Sequence, residues 1–281
     1  MPARYYYRIA SNRDPRRPCC LMDTTRISVP TAMLARDVRR ALRMARNIGA
    51  RGVELDARHS LDAAEVSRTG LRQIRKWLGD EGVVVSAISF RTRGGYADTE
   101  RLEGRITATK DALRLAHDLG AGLVLNHIGE IPAESSGPHW QLLVDVLTDL
   151  AQFGEHVGAT LCAEAGRAAP ADLARLIAAL PDGGLACDLV TGALVVHGHD
   201  PVAAVEQLGS HVASVHATDA VAGPFAGRGR AVVLGTGQVD LPAVFAALEQ
   251  RGYRGWIGIE PVDEHDATTE LTDAVAQLAA L

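Results

Sequence analysis

Four segments of this 281-residue chain are built the same way. An apolar, strand-like run delivers one polar residue at its C-terminal end, in 159–164, 184–188, 211–216 and 252–260, and Pro261 halts the last. The residues delivered are Glu164, Asp188, His216 and Glu260. These are ligand types for one divalent metal ion, and a mixed carboxylate and imidazole set selects only weakly among Mn, Mg, Co and Zn. Taken singly, each reads equally well as a solvent-facing strand end. Four on successive strands argue for one site. Three carboxylates brought together without a cation would repel one another and raise each other's pKa values, and a bound ion removes that conflict.

The elements that must gather these ends follow a steady beat. Strands are expected over 26–30, 52–56, 83–90 and 122–127, then in the four segments above. Between them, helical spacing of apolar residues and closing glycines place helices over 35–48, 71–78, 102–119, 141–156, 171–180, 201–208, 241–251 and 268–281. Pro170 suits the first turn of the helix it opens. Strands that are apolar throughout rather than alternating indicate a parallel sheet covered on both faces. Eight such units, with polar residues only at the strands' C-terminal ends, favour a closed (β/α)8 TIM barrel over an open doubly wound sheet. The expected organisation is an irregular N-terminal lead-in over 1–24 and a single α/β barrel domain over 25–281. The segment 218–239, with glycines at 223, 227, 229, 235 and 237, reads as a long mobile cover over the barrel mouth.

Composition removes several function classes. With 47% apolar residues the chain can bury one large core. A net charge of −5 and a pI near 6.1 leave no basic excess for nucleic-acid phosphates. No apolar run approaches ~20 residues, so no membrane span is expected, and with no apolar signal core at the N-terminus the expectation is a cytoplasmic protein. Cys19 and Cys20 are adjacent, and Cys162 and Cys187 lie in buried-type strands, a pattern of reduced thiols. The only lysines, Lys76 and Lys110, fall on helices, which leaves a Schiff-base aldolase without a nucleophile at a strand end. Neither a Walker A sequence nor a Gly-x-Gly-x-x-Gly after the first strand is present.

Three stretches carry a resemblance: Val215-His216-Ala-Thr-Asp219, Gly235-Thr-Gly237-Gln-Val-Asp240, and Leu248 to Glu260 with its Gly-Tyr-Arg-Gly-Trp-Ile-Gly-Ile core. Together with Gly49-Ala-Arg-Gly-Val-Glu54-Leu they resemble the xylose isomerase-like TIM-barrel superfamily, nearest its sugar phosphate isomerase and epimerase branch. The resemblance implies a metal quartet at Glu164, Asp188, His216 and Glu260, and it implies that Glu164 and Glu260 are also the catalytic proton carriers. The departures lie around that quartet. Where ketose epimerases of this superfamily carry a substrate histidine, a second glutamate and a substrate arginine, this chain has Thr191, Pro170 and Ala222. The endonuclease IV branch, with its three zinc ions and extra histidines, is disfavoured by the same break at Thr191.

The remaining candidates are substrate contacts. His127 ends the fourth strand. Asp219 follows the seventh and is placed either to orient His216 or to meet a substrate hydroxyl. Glu54 on the second strand reads as a carboxylate behind the ligands or as half of a salt bridge to a helix. Arg91, with Arg93, Arg228 and Arg230, offers a fork for a carboxylate or phosphate, against the plainer reading of solvated arginines. Gly235-Thr-Gly237 has the composition of an anion nest. His197 and His199 read as loop residues. The expectation is a metal-dependent isomerase or epimerase of a small polyhydroxylated carbonyl compound, acting through proton abstraction and an enediolate. A lyase that expels a β-substituent from a keto-inositol or keto-glycoside, and a non-catalytic sugar-binding barrel, stay open beside it. The partner expected is a carbohydrate-like small molecule, with a homo-oligomer admitted.

Overall fold

The computed structural model describes residues 26–281; the expected lead-in, with Cys19 and Cys20, lies outside the described residues. Eight parallel strands close into a barrel. In chain order they are β1 (Ile27–Pro30), β2 (Gly52–Asp56), β3 (Val84–Ser89), β4 (Leu123–Asn126), β5 (Thr160–Ala165), β6 (Ala186–Val190), β7 (Val212–His216) and, after a two-stranded hairpin, β10 (Trp256–Gly258). Neighbours run β1-β10-β7-β6-β5-β4-β3-β2 around the ring. The closing pair, β1 with β10, is a short ladder in which Ile27 faces Ile257 and Ser28 faces Gly258.

Helices alternate with these strands: α1 (Val38–Asn47), α2 (Arg68–Glu81), α3 (Leu102–Leu119), α4 (Pro138–Val157), α5 (Pro170–Ile177), α7 (Pro201–Leu208), α8 (Leu241–Gln250) and α9 (Ala267–Ala279). Local chemistry sets their starts. Asp37 accepts from Arg40 N at 2.7 Å, so α1 begins after it and not at Ala35. Asp200 and Asp240 cap α7 and α8 in the same manner, each followed within two residues by a proline that needs no amide partner. The helices lay Leu42, Leu113, Leu143, Leu147, Leu173 and Leu248 against the outer faces of the strands, which contribute Val29, Val53, Ile88, Val124, Leu161 and Leu189. Each is essentially out of solvent, and burying a side chain of this size contributes about 1.5–3 kcal/mol.

Strand periodicity of two separates that outer core from the barrel interior. Cys162 shares a face with Glu164 and packs with Leu125 and Ala87, backed by Ala186. Leu125, Cys162 and Ala87 therefore fill the barrel beneath the position where the polar ends project. Cys162 and Cys187 are buried free thiols, as expected. No helix among the described residues is long and apolar enough to cross a membrane.

Two elements depart from the expected beat. A six-residue helix, α6 (Thr191–Val196), follows β6 directly, and the 218–239 segment contains an antiparallel hairpin of β8 (Asp219–Val221) and β9 (Arg230–Val232). Both are too short to show a period in sequence. α6, Thr-Gly-Ala-Leu-Val-Val, reads as readily as a continuation of the apolar strand before it.

Candidate active site

Parallel closure brings the C-terminal ends of the strands to one face, and the quartet arrives there. Glu164 on β5 and Asp188 on β6 are paired in register. His216 is the last residue of β7, and Glu260 lies two residues beyond β10. His216 owes its place to glycine. A Cβ on Gly258, its register partner, would come within 2.7 Å of the imidazole ring.

The imidazole is held from both sides. Nδ1 donates to Asp188 Oδ2 at 2.7 Å, and Nε2 donates to Glu54 Oε2 at 3.0 Å, with all three side chains buried. Burial alone would lower the pKa of His216, but the two carboxylates outweigh it and hold it well above the ordinary histidine range. Glu54 is thus a partner of His216 and not half of a salt bridge to a helix.

Arg91, two residues past β3, reaches across the mouth. Its Nε donates to Glu164 Oε1 at 2.6 Å and its Nη2 donates to Glu260 Oε1. The arginine fork expected for a substrate anion is filled by the chain's own carboxylates, and the reading of Arg91 as a solvated arginine is set aside by the same contacts. The two glutamates feel different fields. Burial pushes Glu164 up to about 7 despite Arg91 beside it. Burial would raise Glu260 too, yet His216 and Arg91 together hold it below the usual carboxylate range. His127, one residue past β4, places Nδ1 at 3.2 Å from Glu164 Oε2, and burial with the nearby Arg91 and Arg167 lowers its pKa. It is therefore a neutral imidazole at neutral pH.

Asp219 is spent elsewhere. Its carboxylate accepts from the amides of Ala220 (2.8 Å), Gly235 (3.0 Å), Gly237 (2.7 Å) and Val239 (3.0 Å). The expected roles beside His216 or a substrate hydroxyl are not what these bonds provide, since both His216 nitrogens are already engaged. The anion that the Gly235-Thr-Gly237 turn holds is Asp219 itself, and a Cβ at Gly237 would collide with that carboxylate. The 218–239 segment is accordingly pinned at its base, and nearer the tip Gly227 N donates to Val196 O at 2.7 Å, beside Phe225, which is 76% exposed.

Thr191 also has a structural occupation. It is fully buried, and its hydroxyl donates to Thr218 O at 2.5 Å and accepts from Thr218 N at 3.0 Å, while Thr218 Oγ1 accepts from Gly192 N at 2.9 Å. This reciprocal clasp joins the start of α6 to the chain beyond β7. Pro170 opens α5, and the Ala222 amide donates to Gln238 Oε1 at 2.8 Å.

A cavity of about 780 Å³ opens beside the quartet, lined by Glu164 and His127 and by Arg93, Arg167, His197 and His199, among others. Sequence reading set His197 and His199 aside and did not single out Arg167. The three-residue spacing of Arg167 from Glu164, on the loop that leaves the same strand, was the available signal.

The donor set can be tested against a divalent cation. Asp188 Oδ1 is buried and has no hydrogen-bond partner, so one ligand oxygen is free. Glu54, Glu164, Asp188 and Glu260 bring four carboxyl groups to one mouth beside Arg91, and His216 would release one ring proton to become a ligand to a divalent ion. By type, placement and charge the residues fit. Their present spacing is open: among the described residues no three His, Cys, Asp or Glu side chains are gathered as one ion would gather them.

The barrel has close relatives in shape. A xylose isomerase domain protein from Planctomyces limnophilus is 24% identical, with 90% of this chain and 95% of that one covered and a TM-score of 0.80. The 3-keto-D-glucoside 4-epimerase of E. coli is 16% identical over 92% of this chain and all of its own, with a TM-score of 0.73. D-psicose 3-epimerase from Clostridium cellulolyticum H10 is 14% identical over 91% and 98%, also with a TM-score of 0.73. At these identities the likeness is one of fold. No match is found among curated proteins. The family described as xylose isomerase-like TIM barrel matches residues 42–281, which is most of the chain, and the chain belongs to that family.

Proposed function

We propose that this protein is a divalent-metal-dependent isomerase or epimerase of a small sugar or other polyhydroxylated carbonyl compound. The observation that carries the reading is the convergence of Glu164, Asp188, His216 and Glu260 at one barrel mouth, with Asp188 Oδ1 buried and unpartnered and a cavity of about 780 Å³ alongside. Fold relatives that include two sugar epimerases support it.

The four side chains would hold the ion, which when bound supplies the positive charge that makes a proton beside a carbonyl acidic. The chain's own residues supply the rest. Glu54 fixes the His216 ring, as partners behind metal-binding histidines commonly do. Glu164 and Glu260 come from strands separated in the ring by β6 and β7, so they address a substrate carbon from different directions. One takes the proton and leaves an enediolate; the other returns a proton to the opposite face, completing an inversion. His127, neutral and beside Glu164, is placed to contact the substrate where the cavity meets the quartet. Arg93, Arg167 and the two cavity histidines offer donors to hydroxyl groups along its length.

The reading is tested by supplying metal-loaded protein with a panel of ketoses and keto-glycosides in D₂O. Product isomers carrying one solvent deuterium at the inverted or neighbouring carbon are expected. Product that has lost water or an aglycone would turn the reading to a lyase, and turnover with no deuterium on any carbon would defeat the two-carboxylate mechanism.

A further inference from the structure

A metal quartet leaves Arg91 unexplained. Its side chain is 35% exposed, yet the guanidinium bridges two carboxylates from distant strands, Glu164 at 2.6 Å and Glu260. We propose that Arg91 is a built-in cation that occupies the metal carboxylates when no ion is present, so that a divalent metal and the guanidinium compete for Glu164 and Glu260. The inference rests on the reading of those two residues as metal ligands.

Geometry and charge carry the argument. An ion bound by both glutamates needs oxygens at about 2.0–2.2 Å, and the Oε1 atoms on each are already accepting charge-assisted hydrogen bonds from one guanidinium. Two cations that share both carboxylates repel each other. The empty-handed state also needs such a group. With Arg91 removed and no metal, the buried Asp188 and the half-buried Glu164 and Glu260 would face one another with His216 to compensate. Arg91 therefore both preserves the metal-free fold and weakens metal binding. Its neighbours Thr92 and Arg93 line the cavity, so an arm that releases the glutamates lies beside the space proposed for substrate.

The experiment is a Mn²⁺ titration by equilibrium dialysis of chelator-stripped wild type, Arg91→Met and Arg91→Lys. One Mn²⁺ per chain is expected in all three. Arg91→Met should bind at least about tenfold more tightly than wild type, the size of one charge-assisted hydrogen bond no longer broken. Arg91→Lys should fall between, because an ammonium cannot grip both carboxylates as a planar fork does. Guanidinium added back at millimolar concentration should weaken binding to Arg91→Met and leave the wild type unchanged. If Arg91→Met fails to fold once stripped, the lysine variant decides alone: tighter binding than wild type supports competition, and equal or weaker binding overturns it. Equal or weaker affinity in a folded Arg91→Met likewise overturns the inference while the retained one-ion stoichiometry preserves the metal reading. Folded wild type and Arg91→Met that both take up no Mn²⁺ would remove the metal reading and this inference together.

Discussion

Glu164 and Glu260 hang from adjacent edges of one guanidinium, yet their surroundings push them in opposite directions, Glu164 up to about 7 and Glu260 below its usual range. Replacing either by Gln should cut turnover of the metal-loaded enzyme by roughly 10²-fold or more, the range for losing a general base, with the melting temperature little changed. Steady-state kinetics checks this. In D₂O the single variants should differ: one retains proton exchange at the substrate carbon without inversion, because one face keeps its carboxylate. Glu54 acts at one remove. Glu54→Gln should still accept from His216 Nε2 through its amide oxygen but without the charge, so metal affinity should fall by about 10-fold, as for other partners behind metal ligands, and Glu54→Ala should lose more. Binding isotherms of the two variants distinguish a positioning role from a merely space-filling one.

At the scale of elements, the hairpin of β8 and β9 and the turn at 235–237 depend on one side chain. Asp219 satisfies four backbone amides in a nearly solvent-free position, and Asp219→Ala would orphan them together. A stability loss of about 3 kcal/mol is expected in urea unfolding, in the range for breaking a buried charged network. Trypsin cleavage at Arg228 and Arg230 should speed up more than the global stability change explains, because the base that pins this segment has been released. In wild type the exposed tip around Phe225 should be cut first, and ligand that draws the tip over the mouth should slow the cut. Equal cleavage rates with and without saturating ligand would count against a cover.

For the whole molecule, closure of the barrel and assembly of the site are one event. The β1–β10 ladder is short, and β10 carries both Gly258, which admits the His216 ring, and the approach to Glu260. Ile257→Ala should cost about 2–4 kcal/mol as a buried cavity substitution and should weaken metal binding as well, since the seam and the quartet share a strand. Gly258→Ala should cost little core area yet displace His216, so metal affinity should fall further than stability does.

Much of this was legible in the chain. Buried strand runs, helix caps and the polar residue at each strand end state the barrel and the quartet in local patterns, because those depend on neighbours along the sequence. What stayed hidden depends on distances across the ring. No periodicity announces that the arm of Arg91 spans from β3 to both glutamates, or that Glu54 turns to His216. Asp219 looked like a site residue because a carboxylate after a strand end does, and only the fold of the 235–239 turn back onto it shows four amides waiting there. α6 and the hairpin were missed because a six-residue helix and three-residue strands carry too few positions to display a period.

One divalent ion held by Glu164, Asp188, His216 and Glu260 is the central proposal for this barrel mouth. The direct measurement is metal content by elemental analysis, with Mn²⁺ binding stoichiometry, of wild type and of the folded Asp188→Ala/His216→Ala double variant purified without chelators. One divalent ion per wild-type chain and none in the double variant is the predicted result; full occupancy in the double variant, or none in the wild type at saturating Mn²⁺, would contradict it.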